Sequence, residues 1–366
     1  MRVLHVLNEL RHSGAETALA LMAPYAATDG VEAEILAVVE DGIGAYAPRL
    51  EAAGYRVHSL RFSRDAGFPL RALLFFRANR FDVVHVHCER ASFWLEAAAW
   101  ASGATRIMRM VHGLFGFEGG LRARRKLQRT LARKLFGVRT LAVSPGVAAN
   151  EAFRFGSPSA VTALCVDVEA FRPPTAESRA AARAKFGLSG ARICVAIVGA
   201  CDPVKAHDVA LAALAQAVRD GLDIRVLHAG SGPTEAAERA QVDALGIADR
   251  VSFLGARDDV PAILAASDMF LMPSRVEPLG LAAVEALATG LRCVLADRPG
   301  MDALRAHGGT VEWVAPEVDA VATALLRLAR VPDDEWRPRA FAASQAIRAE
   351  FSPEAAWQRL RPFYGL

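Results

Sequence analysis

With 366 residues, 53% of them hydrophobic, the chain is long enough for two domains that each bury a core of their own. A net charge of +3 excludes a general nucleic-acid binder or an acidic tail as the organising feature, and no apolar run approaches the ~20 residues needed to span a bilayer. Residues 1–7 read as the start of a strand and not as a leader, which predicts a cytoplasmic chain, and the five scattered cysteines, without paired spacing, read as core thiols with no metal site.

Strands and helices alternate along the chain. Strands are expected at 2–8, 33–39, 56–60, 82–88, 105–112 and 139–144, with an extended segment at 159–166. Helices are expected at 14–27, 45–54, 69–80, 91–101, near 120–136, and briefly after Pro145. The turn-rich segment 171–178 interrupts this pattern, which then restarts. Strands follow at 192–199, 224–230, 250–255, 269–272, 292–296 and 310–314. Helices are expected at 178–186, 208–219, 233–245, 260–266, 280–289, 318–330 and 353–364. Such alternation predicts an α/β chain of two Rossmann-like doubly wound parallel-sheet domains joined near residue 170, with ligands bound beyond the carboxyl ends of the strands.

The stretch 273–286, PSRVEPLGLAAVEA, is the most informative. It places Glu277 in a loop over a helix N-terminus and Glu285 within that helix. Free N–H groups there favour a phosphate, and the carboxylates accept hydrogen bonds from sugar hydroxyls, a pattern suited to a nucleotide-sugar.

IVGACDPVKAHDVALAALA, HAGSGP, the run from DRVSFLG to EALATG, and FSPEAAWQRLRPFY together resemble the second domain of the family 4, or group 1, glycosyltransferases. LNELRHSGAETALALMA, FDVVHVH, MRMVHG, LAVSPGV and VDVEAF resemble the landmarks of that family's first domain, in the same order. The resemblance implies a GT-B fold with residues 1–170 binding the acceptor and 171–345 the nucleotide-sugar. Residues 346–366 are then a helix crossing back to the first domain, which faces the second across a cleft. Also implied are retention at the anomeric carbon and no cofactor beyond the sugar donor. The expected donor is a hexosyl nucleoside diphosphate, UDP ahead of GDP.

On the same resemblance Lys205 meets the donor diphosphate, Glu285 the ribose, and Glu277 the donor sugar or the positive charge at its anomeric centre. The backbone of Leu279, Gly280 and Leu281 cradles phosphate, and base contacts fall near Gly230, Gly232 and Arg257. Ser13 and Gly14 form a phosphate-facing turn. His112, followed by Gly113, contacts the donor sugar or orients the acceptor, with His87 near by. Lys205 lies in no Walker A loop and no Asp-x-Asp pair occurs, so fixed charge and not a metal is expected to carry the diphosphate. His85 is expected to pack beneath a helix with one ring nitrogen bonded.

Three positions depart from the family pattern. Ala200 stands where an arginine usually shares the diphosphate, which either calls on another cation such as Arg275 or leaves a weak or inactive binding scaffold. Leu164-Cys165 replaces a common Asn-Gly, and Ser13 replaces the first glycine of a pair.

The segment 121–139 holds eight Lys or Arg and no acid. Leu127, Leu131 and Leu135 fall on one face and Arg122, Arg125, Arg129 and Arg133 on another, which predicts either a solvated basic face or peripheral contact with anionic lipid, suiting a lipid-linked or other saccharide acceptor. A glycine pattern at 42–47 faintly mimics a dinucleotide loop but follows the second strand, where that fingerprint does not belong.

Overall fold

The computed structural model describes every residue except 163, 189, 191 and 192. One residue each of the segments expected at 159–166 and 192–199 therefore lies outside the described residues. The chain divides into two compact units, Met1–Val166 with Ser352–Leu366, and Asp167–Phe351.

The first unit contains β1 (Arg2–Leu7), α1 (Gly14–Thr28), β2 (Glu32–Val39), α2 (Ala47–Ala52), β3 (Arg56–Arg61), α3 (Gly67–Asn79), β4 (Val83–Val86), α4 (Ser92–Ala101), β5 (Arg106–Val111), α5 (Gly119–Leu135), β6 (Arg139–Ala142), α6 (Pro145–Phe155) and β7 (Ser159–Val161). Its sheet is parallel, in the order β3-β2-β1-β4-β5-β6-β7. The second unit contains α7 (Ala176–Lys185), β8 (Ile193–Val198), α8 (His207–Arg219), β9 (Ile224–Ala229), α9 (Glu235–Ala244), β10 (Val251–Gly255), α10 (Val260–Ala266), β11 (Met269–Met272), α11 (Leu281–Ala288), β12 (Arg292–Ala296), β13 (Val311–Val314), α12 (Val318–Ala329) and α13 (Asp333–Glu350). Its parallel order is β10-β9-β8-β11-β12-β13.

Helices on both faces explain the composition of the central strands. Met269-Phe270-Leu271-Met272 is buried throughout, and so are Val83–Val86, because a parallel strand covered on two sides has no solvent face to keep polar. Leu4, Val6, Val84, Val86, Phe68 and Phe76 build one core, and Val195, Ile197, Leu214, Met269, Leu271 and Val294 the other. Each strand order reverses direction once, between β1 and β4 and between β8 and β11, which opens a crevice at the carboxyl ends of those strands. All five cysteines are buried and free, as their apolar surroundings predict.

Inside the first unit Arg109 of β5 and Glu96 of α4 form a bidentate pair, with Nε–Oε1 and Nη2–Oε2 at 2.7 and 2.6 Å, both residues buried. Removing one partner strands a charge in the core. Arg109→Met is therefore expected to lower unfolding stability by about 3–5 kcal/mol in a urea titration, and Arg109→Met/Glu96→Leu to recover most of it.

The sequence reading did not include α13, a helix with Pro338 inside it. Burial of Trp336, Ala340 and Ile347 holds the helix despite the missing N–H. Residues 346–351 finish this helix in the second unit, so the returning segment begins at Ser352 and not at 346. The final helix, α14 (Pro353–Tyr364), packs on α1, with Trp357 Nε1 donating to Asp29 Oδ2 at 2.8 Å and Tyr364 Oη 3.0 Å from His85 Nδ1. His85 is fully buried with its other nitrogen unbonded.

The basic face expected on α5 is corrected. Arg129 is buried, bound to Glu151 at 2.7 Å and to Glu89 at 3.2 Å, and Arg125 also pairs with Glu89. The acids that turn these arginines inward come from other segments. Leu127 and Leu135 of the apolar stripe are exposed. No helix among the described residues is long and apolar enough to cross a membrane.

Candidate functional site

In the second unit the crevice between β8 and β11 gathers the residues singled out by sequence. Beyond β8 the chain runs through Gly199, a turn of 3-10 helix at Pro203–Lys205, and into α8. Lys205 lies over Gly199, and its Nζ donates to Glu277 Oε2 at 2.7 Å. Glu277 is buried in the loop after β11, and Lys205 keeps about a quarter of its side chain exposed. The amides of Arg275 and Val276 donate to Val204 O at 2.8 and 3.3 Å, which ties the two loops together.

Gly280 caps α11 at φ 76°, a left-handed conformation that glycine adopts without strain. Leu279 is buried and Leu281 opens the helix. One turn on, Glu285 is partly buried and has no hydrogen-bond or ion-pair partner among the described residues. Burial pushes its carboxyl group up to about 8. A carboxyl group left without a partner at such a cost in solvation is a ready acceptor for ligand hydroxyls.

Gly230 and Gly232 follow β9, and the Gly230 amide donates to Gly255 O at 2.8 Å. Two arginines singled out by sequence, Arg257 near the base and Arg275 as a substitute cation, are each held by an acid. Arg257 is held by Asp259 at 2.7 and 2.6 Å. Arg275 makes a bidentate pair with Asp208, at 2.8 and 2.7 Å, and donates to Pro203 O at 3.0 Å. The structure thus commits Arg275 to fastening the Lys205 loop, where the sequence reading made it a stand-in for the arginine absent at Ala200. Asp208 and Gly300 went unnoticed in the sequence. A Cβ on Gly300 would fall 1.6 Å from Glu277 O, so this glycine seats the Glu277 loop. The Pro-Gly turn at 299–300 was the available signal.

In the first unit Ser13, His87 and His112 line one cavity of about 560 Å³, together with Glu9, Arg11, Glu16 and Arg90. His87 Nδ1 lies 3.1 Å from His112 Nε2, and His87 Nε2 lies 3.0 Å from His5 Nδ1. Burial lowers His5 to about 3 and His112 to about 4, and holds His87 well below the usual range, so the relay is uncharged near neutrality. His112 can then exchange a hydrogen bond with a hydroxyl but brings no positive charge. Gly113 follows it beside the Phe115 ring.

Ser13 and Gly14, expected as a phosphate-facing turn, stand at the N-terminus of α1. Ser13 is the N-cap of α1, accepting from Ala15 N at 3.2 Å, and its hydroxyl donates to Glu16 Oε2. Glu16 Oε1 accepts from Arg11 N at 3.4 Å. The buried Glu16 carboxylate thus lies at this helix end, where the dipole favours negative charge. Gly14 is the first helical residue and needs no left-handed angle. The Ser-x-x-Glu spacing of a capping box was the overlooked signal.

Two family models match the chain, Glycosyltransferase Family 4 over residues 12–170 and Glycosyl transferases group 1 over residues 178–343. The chain belongs to the family 4, group 1 glycosyltransferases. Among curated proteins this family member is similar to a D-inositol 3-phosphate glycosyltransferase of Mycobacterium sp. (strain KMS), 42% identical over 143 residues, 37% of this chain and 31% of the relative. A protein of the same description from Rhodococcus erythropolis (strain PR4 / NBRC 100887) is 34% identical over 188 residues, 47% of this chain and 42% of the relative. The match spans about a third of the length of the first of these relatives. Among solved structures, a glycosyltransferase from Rickettsia africae ESF-5 has a TM-score of 0.85 at 17% identity, covering 99% of this chain and 97% of that one. Anabaena HepE in complex with UDP and glucose has a TM-score of 0.85 at 18% identity, covering 100% of this chain and 99% of that one. These neighbours establish the GT-B fold, two parallel-sheet α/β domains, for this family member.

Proposed function

We propose that the chain is a retaining hexosyltransferase that moves a sugar from a nucleoside diphosphate, UDP ahead of GDP, to a hydroxyl of a saccharide, lipid-linked or small-molecule acceptor. The observation that carries this reading is Lys205 held against Glu277 at 2.7 Å in the β8–β11 crevice, with the unpartnered Glu285 one helical turn beyond the cap at Gly280. Lys205 would meet the charge that develops on the departing diphosphate, so the transfer needs no metal there. Glu285 accepts from the ribose hydroxyls, and Glu277 faces the donor sugar and its anomeric carbon. In front-side displacement the acceptor oxygen bonds to that carbon on the face from which the diphosphate oxygen leaves, and the hydroxyl proton passes to the departing oxygen. His112 and His87 would orient the acceptor as neutral hydrogen-bond partners. The UDP held by the Anabaena neighbour supports a uridine carrier.

A thermal-shift screen of UDP, GDP, ADP and TDP tests the donor. A ligand at 100 times its dissociation constant adds about 2.7 kcal/mol of stability, and UDP is expected to give the largest shift. A larger shift with GDP reverses the carrier assignment, and no shift with any of them favours the second reading. That reading, a GT-B binding scaffold of weak or no activity, rests on Ala200 together with the commitment of Arg275 to Asp208. Hydrolysis of the UDP-sugar without acceptor, detected as released UDP, separates the two.

The proposed site of action is cytoplasmic, with α5 as a peripheral membrane contact. Leu121, Leu127 and Leu135 are exposed among Arg122, Arg124, Arg133 and Lys134 on α5, and Phe153 of α6 is 84% exposed. Leucines beside arginines suit the headgroup boundary of an anionic leaflet. Co-sedimentation with phosphatidylserine vesicles is expected to fall at high salt and to be lost in Leu127→Glu/Leu135→Glu. Binding unchanged in that variant removes the contact.

A further inference from the structure

Four side chains of the second unit converge behind the Lys205 loop: Cys201 after β8, His207 at the start of α8, His228 in β9 and Glu238 in α9. All four are buried, and one ligand atom from each lies within 4.8 Å of the others. We propose that this cluster is a structural site for a divalent transition metal with zinc-like preference, ligated by Cys201 Sγ, His207 Nδ1, His228 Nε2 and Glu238.

The distances carry the argument. His207 Nδ1 lies 3.1 Å from Glu238 Oε1, His228 Nε2 lies 3.1 Å from Glu238 Oε2, and the two ring nitrogens are 3.3 Å apart. Nitrogen and oxygen ligands at about 2.0–2.1 Å from a tetrahedral zinc are themselves about 3.3 Å apart, so these separations are already those of a coordination shell. The two rings meet edge to face, at 85°. As a purely hydrogen-bonded cluster the arrangement gives the buried Glu238 Oε2 no well-aligned hydrogen bond, although His228 Nε2 lies 3.1 Å from it and the Cys201 thiol bonds the carboxylate. A cation at the centre gives that oxygen a partner, while His228 Nδ1 stays unpaired in either state. Thr234 Oγ1 donates to Glu238 Oε1 at 2.6 Å and fixes the carboxylate from outside, the usual office of a second layer around a metal.

The donor set has the right chemistry. His207 and His228 are buried, and each turns a ring nitrogen to the Glu238 carboxylate. The Cys201 thiol is buried beside them and gives up its proton to the medium when a metal binds. One thiolate, two imidazoles and a carboxylate suit zinc or cobalt(II) in a closed four-coordinate shell. The ligands also bracket the donor loop: Cys201 and His207 lie on either side of Lys205. A Cβ on Gly232 would fall 2.4 Å from Cys201 O, and Thr234 N donates to that oxygen at 3.1 Å. The metal would therefore clamp the loop that carries Lys205 onto the start of α9 without touching the diphosphate. This inference is independent of the donor and of activity.

Cobalt(II) titration of the full chain, stripped with a chelator and checked for folding by circular dichroism, is the test. One equivalent is expected to give a thiolate-to-cobalt charge-transfer band in the near ultraviolet, visible bands of tetrahedral intensity, and a higher melting temperature. Cys201→Ser is expected to lose the charge-transfer band, and Glu238→Gln to weaken binding by at least the ~10–100-fold that outer-layer changes cost. The thiolate band also separates this site from His5, His85 and His87 of the first unit, which group similarly but include no cysteine. A folded wild-type chain with no such band overturns the proposal, as does a band that survives in Cys201→Ser. Where Cys201→Ser does not fold, His228→Gln serves in its place: retention of one tightly bound equivalent overturns the proposal, and its loss supports it.

Discussion

Lys205→Ala is expected to lower the rate of sugar transfer by about 10²–10³-fold, the usual cost of one preorganised charge facing a developing anion. The same change has a structural consequence. Glu277 is buried and takes its ion pair from Lys205, so removing the lysine leaves a carboxylate with only part of its solvation. A fully buried pair broken in this way costs about 3–5 kcal/mol, but Lys205 is 24% exposed and water reaches the gap, so about 1–2 kcal/mol is expected. Lys205→Ala/Glu277→Gln removes the stranded charge. It should regain the lost stability in a urea titration and regain none of the transfer rate. Recovery of transfer in the double variant would assign the defect to Glu277 and deprive Lys205 of its role.

Glu285→Gln should move stability and ligand affinity in opposite directions. Its carboxyl group titrates at about 8 in the folded chain against an ordinary 4.5, with burial as the cause. The folded state therefore favours the protonated form. Its stability contribution is complete below pH 4.5 and is lost as pH rises towards and through 8. At pH 7 the penalty approaches ~3 kcal/mol if taken at face value, and the side chain's residual solvent contact reduces this to about 1–2 kcal/mol. Glutamine escapes it, so the variant should melt several degrees higher at pH 7–8.5 while binding nucleoside diphosphate at least tenfold more weakly. A ribose diol donates best to an ionised carboxylate, so wild-type affinity should rise between pH 7 and 8.5, by up to about tenfold per unit below 8, and the variant's should not. Calorimetric titration at both pH values checks this. A variant that neither melts higher nor loses affinity would make Glu285 an ordinary helix residue. A residue that destabilises the empty protein and holds the ligand is the expected signature of a binding group.

The elements most legible in the sequence were those set by local rules. Alternation of apolar runs with helical periodicity, and a second series after residue 171, gave two doubly wound sheets because parallel strands covered on both faces must be continuously apolar. Loops after β8 and β11 could be read as site-bearing for the same reason: ligands bind at the carboxyl edge where strand order reverses. The face of α5 was illegible because its direction depends on Glu89 and Glu151, which lie outside the helix, and a wheel drawn from α5 alone cannot contain them. Helix α13 was not foreseen either, and there the local penalty of the hydrogen bond missing at Pro338 is overridden by tertiary burial of Trp336 and Ile347.

The sequence by itself determined the fold class, the family and the chemical inventory of the site: Lys205, Glu277 and Glu285 in one pattern, His87 and His112 in another. Tertiary structure decided how those groups are charged and partnered. It paired Lys205 with Glu277, left Glu285 without a partner among the described residues, tied Arg275 to Asp208, placed Glu16 at the Ser13 helix end, and gathered Cys201, His207, His228 and Glu238. Residue type and local periodicity are carried along the chain. Desolvation and the identity of the nearest charge depend on which distant segments fold together, and those two quantities set both a pKa and a ligand shell.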